Sequence, residues 1–285
     1  MNKFFINIVR YLFDFIGPLI GPPNHNVQIK TILIDEGVKL TIFTPSNLAK
    51  KNIILYFHGG GWIVGSIRAY ERILKYICFK TEFLVIGVDY RKAPEYKYPQ
   101  SSNDAIAAYI WVIKNIVKDD KIKISIIGDS AGGSLVAGLM KWIKQQNLIS
   151  PNLAILIYPA IGIDRQSMDY LKYSKPRWLN LPGYYAIKYF FSQYLKDSND
   201  LESLNNIQLL PSSFKDNTDT KILILMAQWD PLTKLILNWK EKQIHSSENI
   251  ECIIYPKTIH GFINFTRFSR QAKIALDKII DSLLL

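Results

Sequence analysis

The sequence predicts an α/β fold: a mostly parallel sheet of about eight strands with helices on both faces. Three observations carry this expectation. Through most of the chain, short continuous apolar runs alternate with longer helical patterns, and strands buried on both faces read as continuous rather than alternating. Near the start, two alternating runs flank a turn, which adds an antiparallel pair. Hydrophobic residues make up 48% of 285 positions, enough for a sizeable core. That length admits two domains, but α/β folds of this size are often one, so residues 1–285 are read as a single domain.

The elements follow in order. In "KFFINIVRYLFDFIGP", Phe4, Phe5, Ile8, Leu12, Phe15 and Ile16 recur at helical spacing, predicting an amphipathic helix that ends near Gly17-Pro18. Asn7, Arg10 and Asp14 interrupt it, and no cleavage site follows, so it reads neither as a signal peptide nor as a spanning helix. Docking on the protein's own body is the plain expectation; contact with a membrane surface is the sharper one. "VQIKTILI" and "VKLTIFTP" flank Asp35-Glu36-Gly37 as a hairpin. Next come the strands "NIILYF", "FLVIGVDY", "KISIIG", "NLAILIYP", "KILILMA" and "IECIIYP", each but "NLAILIYP" followed by a helical pattern. Between Pro159 and Lys221 no core strand is evident. The aromatic insert there is expected to lie over the ligand crevice outside the strand ends, as a cap.

The formal charge is +11, from 35 Lys+Arg against 24 Asp+Glu. The lysines are spread along the chain without a nucleic-acid motif, so no nucleic-acid partner is expected. Cys78 and Cys252 form no CxxC and no metal-ligand spacing; buried free thiols, no metal and a cytoplasmic setting, with peripheral membrane contact as the variant, are expected. The exposed edges of the sheet, or the last helix, "DKIIDSLLL", offer surfaces on which a homodimer could form.

The chemistry concentrates in few places. Gly128-Asp129-Ser130-Ala131-Gly132 matches G-x-S-x-G between a strand and a helix, the setting of a sharp turn that exposes a serine hydroxyl. Serine needs a base. Among the four histidines, His25 lies in a loop, His58 precedes the glycine run and His245 ends a helical pattern. His260, just after the last strand, can lean over the sheet edge toward Ser130, with Gly261 letting the chain pass closely behind. Asp230 follows the preceding strand in the matching position, and Pro231 after it also suits an N-cap reading. Asp89 and Asp164 are rivals: Asp89 precedes the serine in a stretch that reads as a structural turn, whereas spacing alone does not exclude Asp164. The order Ser130, Asp230, His260 is not that of chymotrypsin, despite "GDSAGG". Acyl transfer at such a site needs preset donors for an oxyanion, which accounts for three glycines in "FHGGGW". The backbones of Gly60 and Gly61, with Ala131 after the serine, are the expected donors, and His58 and Gly59 support the loop.

With these residues in place, the chain resembles the hormone-sensitive-lipase-like esterases of the α/β-hydrolase fold. "HGGGW", "DYRKAPE", "GDSAGG", "DPL" and "HGF" carry the resemblance from residue 53 to residue 262. It implies a serine carboxylesterase acting on a small-molecule ester without a cofactor, Ser130, Asp230 and His260 as its triad, and a cap from about 1–24 and 161–205. Aromatics such as Phe4, Phe5, Trp178, Tyr184 and Phe191 suggest a pocket for apolar acyl or aromatic groups. An amidase or deacetylase would use the same triad, and a non-catalytic receptor the same scaffold. The chain departs from the family in "DPLTK", where Lys234 brings a positive charge near Asp230.

Overall fold

The computed structural model describes residues 3–35, 37–47, 52–118, 121–197, 220–243 and 249–285. Its eight strands form one sheet in the order β1-β2-β4-β3-β5-β6-β7-β8. β1 (Gln28–Leu33) and β2 (Lys39–Thr44) are the expected hairpin, and β2 lies antiparallel to β4. From β4 (Leu84–Asp89) through β3 (Ile53–Phe57), β5 (Ile124–Asp129), β6 (Leu153–Ile157), β7 (Lys221–Trp229) and β8 (Ile250–Ile259), all pairs are parallel. β3, β5 and β6 are buried at every position, the burial that their continuous apolar runs demand.

Helices cover both faces. α1 (Lys3–Ile20), α2 (Ile67–Thr81), α3 (Gln100–Asn115), α4 (Ala131–Gln145), α5 (Arg165–Tyr173), α6 (Arg177–Tyr194), α7 (Pro231–Gln243) and α8 (Arg270–Leu284), with a 3-10 turn at Phe262–Phe265, complete the described elements. Two apolar clusters result, one on each side of the sheet. The first joins Leu55, Ile126 and Ile224 to α3, α4 and α7; the second joins Ile54, Ile127 and Leu223 to α2 and α8. Adjacent strand residues such as Ile54 and Leu55 thus point to opposite clusters, as the two-residue period requires.

Two expectations for the amino terminus need correction. α1 does not stop at Gly17-Pro18 but runs to Ile20. Pro18 removes one helical hydrogen bond, yet tertiary contacts hold the last turn: Arg267 N–H donates to Ile20 O and Arg267 Nη1 to Leu19 O. Gly17 also lies so close to α2 that an added Cβ would stand 2.2 Å from Ala69 O. Nor does the apolar stripe simply dock inward. Ile6 is fully buried, but Phe4, Phe5, Ile8, Tyr11, Phe15 and Leu19 are exposed.

The stretch "DYRKAPE" is, as expected, structural. Asp89 accepts from Ile67 N–H, Tyr90 Oη donates to His58 O, and Ala93 N–H donates to Trp62 O. Arg91 pairs with fully buried Asp104, whose carboxylate also accepts from Arg91 N–H and Gln100 Nε2. Cys78 is a buried free thiol as expected; Cys252, also free, is only half-buried because β8 is the edge strand. His245 and positions 198–205 of the expected cap lie outside the described residues.

Replacing Asp104 by Ala strands the Arg91 guanidinium and two further donors, Arg91 N–H and Gln100 Nε2. We expect a loss of about 3 kcal/mol of stability, measured as a lowered urea midpoint with unchanged slope.

Candidate active site

β5 delivers the chain to Ser130, and α4 begins at the next residue. Between them Ser130 adopts φ 53°, ψ −117°, a region that a side chain rarely occupies. Such a conformation costs on the order of 1–3 kcal/mol and needs rigid surroundings. They are supplied by Ser130 N–H donating to Ile157 O at 2.8 Å and by Ala160 N–H donating to Ser130 O at 3.0 Å. The flanking glycines are steric necessities: a Cβ on Gly128 would lie 2.3 Å from Gly132 O, and one on Gly132 would lie 2.0 Å from Phe57 O.

His260, at the end of β8, meets that serine. Its Nε2 lies 2.9 Å from Ser130 Oγ, and its Nδ1 lies 2.6 Å from Asp230 Oδ2. An ionised Asp230 can only accept, so Nδ1 carries the proton and Nε2 is left to accept from the serine hydroxyl. Both readings of Asp230 hold at once. Oδ1 accepts from Leu232 N–H at 2.9 Å as a helix cap while Oδ2 holds the imidazole. Asp230 is 1% exposed in its side chain, whereas His260 is 40% exposed toward the pocket. Enclosure of the ring opposes its charged form, but the Asp230 charge and hydrogen bond, with help from Asp129, raise the His260 pKa above 6.5. The rivals are elsewhere. Asp89 pairs with Lys39 at 3.3 Å, and Asp164 caps α5 through Ser167 N–H. Gly261 has φ 81° and nothing within 4 Å of an added Cβ, so it serves backbone conformation rather than the close passage expected. Lys234 is exposed on α7.

The glycine run sits beside the serine. A Cβ on Gly59 would lie 2.3 Å from Asp129 Oδ2, on Gly60 2.2 Å from Val64 O, and on Gly61 2.3 Å from the Phe190 ring. Gly60 also has φ 121°, which favours glycine on conformational grounds. Gly59 N–H is spent on Asp129 Oδ1 at 2.8 Å. Gly60, Gly61 and Ala131 line the same cavity as Ser130 and His260. His58 is fully buried; its Nδ1–H donates to Gly59 O at 2.7 Å, and burial, with Lys92 nearby, lowers its pKa to about 3. It is a neutral brace.

The cavity has a volume of about 760 Å³ and almost entirely apolar walls. α1 contributes Leu12, Phe13 and Ile16; α6 contributes Ile187, Phe190 and Phe191. Of the five aromatics expected there, Phe191 alone lines it. Trp178 is exposed instead, because it lies on the outer face of α6.

Residues 54–264 match the family model of the α/β hydrolase fold. The chain belongs to the α/β-hydrolase family, in its hormone-sensitive-lipase-like branch. An arylesterase of Saccharolobus solfataricus is 28% identical over 264 residues, which cover 91% of this chain and 84% of that protein. An ethyl acetate hydrolase of Pseudomonas putida is 25% identical over 233 residues, covering 81% of this chain and 72% of that protein. The solved hyperthermophilic esterase of the archaeon Pyrobaculum calidifontis superimposes with a TM-score of 0.80 at 26% identity, covering 98% of this chain and 93% of the other. This α/β hydrolase is accordingly a carboxylic ester hydrolase.

Three side chains around the hydrolase's serine went unassigned from sequence. Asp129, buried, accepts from Tyr56 Oη and Tyr70 Oη at 2.8 Å each as well as from Gly59 N–H. Burial lifts its pKa to about 6 against those three donors. The one sequence signal for Asp129, not read as such, is a carboxylate closing the apolar run "ISIIGD"; Tyr56 and Tyr70 carry none, being indistinguishable from core aromatics.

By NMR, the His260 ring should titrate with a midpoint above 6.5. Asp230→Asn removes the neighbouring charge, so the midpoint should fall.

Proposed function

We propose that this α/β hydrolase cleaves short- to medium-chain acyl or aromatic esters through Ser130, His260 and Asp230. The observation that carries the reading is the unbroken relay from Asp230 through His260 to Ser130, opening on an apolar cavity beside the glycine loop. Ser130 Oγ attacks the ester carbonyl carbon while His260 Nε2 takes the hydroxyl proton. The carbonyl oxygen becomes an oxyanion in front of the N–H groups of Gly60, Gly61 and Ala131. His260 then returns the proton to the departing alkoxide, leaving acyl-Ser130 and a free alcohol. Water, deprotonated by His260, attacks that acyl group; the carboxylic acid leaves and Ser130 regains its proton. Asp230 holds the tautomer that can do both transfers. In this reading α1 together with α5 and α6 forms the cap, and its apolar side chains receive the acyl group.

Three outcomes are expected with p-nitrophenyl esters of increasing acyl length. Wild type hydrolyses them, while Ser130→Ala loses on the order of 10⁴-fold or more in kcat and is not labelled by a fluorophosphonate. Gly60→Ala displaces an oxyanion donor and lowers kcat about 10²–10³-fold. Because the base must be neutral, kcat/KM rises with pH through a midpoint above 6.5, in the direction of the His260 shift. A folded wild type without activity or labelling overturns the reading.

A further inference from the structure

α1 is apolar on both sides, and its charges lie on the side turned to the protein rather than to water. Within 4–20 its charged residues are Arg10 and Asp14, one helical turn apart, and both face the protein. Arg10 Nε donates to Ile63 O and Nη2 to Ala93 O, each at 2.8 Å, and Nη2 pairs with Glu95. Asp14 accepts from Ser66 Oγ. Outward stand Tyr11 (70% exposed) and Phe15 (56%), stacked on each other, with Phe5, Ile8 and Leu19. The apolar surface continues past the end of α1. Arg267 binds the carbonyls of Leu19 and Ile20, and its neighbour Phe268 is 71% exposed, with Phe265 also exposed and reaching the cavity wall.

The stretch that carries Phe265 and Phe268 is basic, and the two carboxylates beside α1, Asp14 and Glu95, are taken up by Ser66 and Arg10. From residue 252 to residue 276 the chain carries Lys257, Arg267, Arg270 and Lys273 and no acidic residue, and the whole chain carries +11. Aromatic and aliphatic side chains flanked by cations, on a helix too short and too interrupted to cross a bilayer, match the physics of a segment lying in the headgroup region of an anionic membrane.

We propose that the outer face of α1, continued by Phe265 and Phe268, docks this hydrolase on an anionic lipid surface, with the cavity mouth turned toward the bilayer. The surface contacts precede any chemistry; that the cavity then receives an acyl ester from the membrane rests on the esterase reading above.

The test is co-sedimentation of the full chain with vesicles of phosphatidylcholine alone and of phosphatidylcholine mixed with phosphatidylglycerol. Wild type should partition to the mixed vesicles and be released by salt. The double variant Tyr11→Ser/Phe15→Ser should lose partitioning at least about tenfold while hydrolysing p-nitrophenyl acetate as wild type does. Phe268→Ser, on a different element, should lose it in the same direction and replaces the double variant if that one does not fold. Wild type that stays unbound, equal binding to both vesicle types, or undiminished binding of the folded variants overturns the proposal. So does a wild-type dimer that ignores vesicles and falls to monomer in Tyr11→Ser/Phe15→Ser, since a second copy then covers the face. Vesicle binding is read without turnover, so its failure is distinct from a failure of esterase activity.

Discussion

The carboxylate of Asp129 joins two segments that are seventy positions apart in sequence and must nevertheless be held within contact of one another. It ends the strand that presents Ser130, and it accepts the Gly59 N–H of the glycine loop together with two tyrosine hydroxyls. Without that buried acceptor, no side-chain hydrogen bond among the described residues would tie the loop directly to the residue before Ser130. The arrangement places a charge where solvent cannot reach it, and three convergent donors are what make this tolerable. The close fit of glycine 59 against the same carboxylate follows directly, since no side chain could share that space. His58, Tyr90 and the Ala93–Trp62 hydrogen bond brace the other side of the loop.

The central strands were legible because burial on both faces writes an unambiguous pattern: five or six apolar residues, then a polar break. The serine turn was legible for the opposite reason, a local rule broken in a specific way, with small residues crowded where a helix should simply begin. Asp230 is instructive. Its sequence context suggested a cap and its topological position suggested a partner for His260. The two oxygens of one carboxylate perform both tasks, so no choice between them was needed. Spacing alone left Asp164 open; only the capping hydrogen bond to Ser167 separates it from the site.

The pocket was poorly legible. Which aromatic faces a cavity depends on helix rotation and on loops whose paths no periodicity encodes, so Trp178 and Phe190 look alike in sequence yet one is exposed and the other walls the cavity. The amino-terminal helix misled for a related reason. An apolar stripe normally announces an inward face, but α1 carries apolar side chains all round, and its inward side also holds two charged residues that find backbone carbonyls and a hydroxyl.

That arrangement bears on how the cavity opens. A wall sealed to its neighbours by a broad oily seam can swing away only by wetting that seam. α1 forms part of the cavity wall and is fastened, besides the packing of Ile6 and Gly17, by a few polar latches, from Arg10 and Asp14 near its middle and from Arg267 at its end. Water can replace each latch in kind, and the outer side is already wet. The wall is therefore held by directional polar contacts as well as by the packing of Ile6 and Gly17, so its position over the cavity is set bond by bond along one helix.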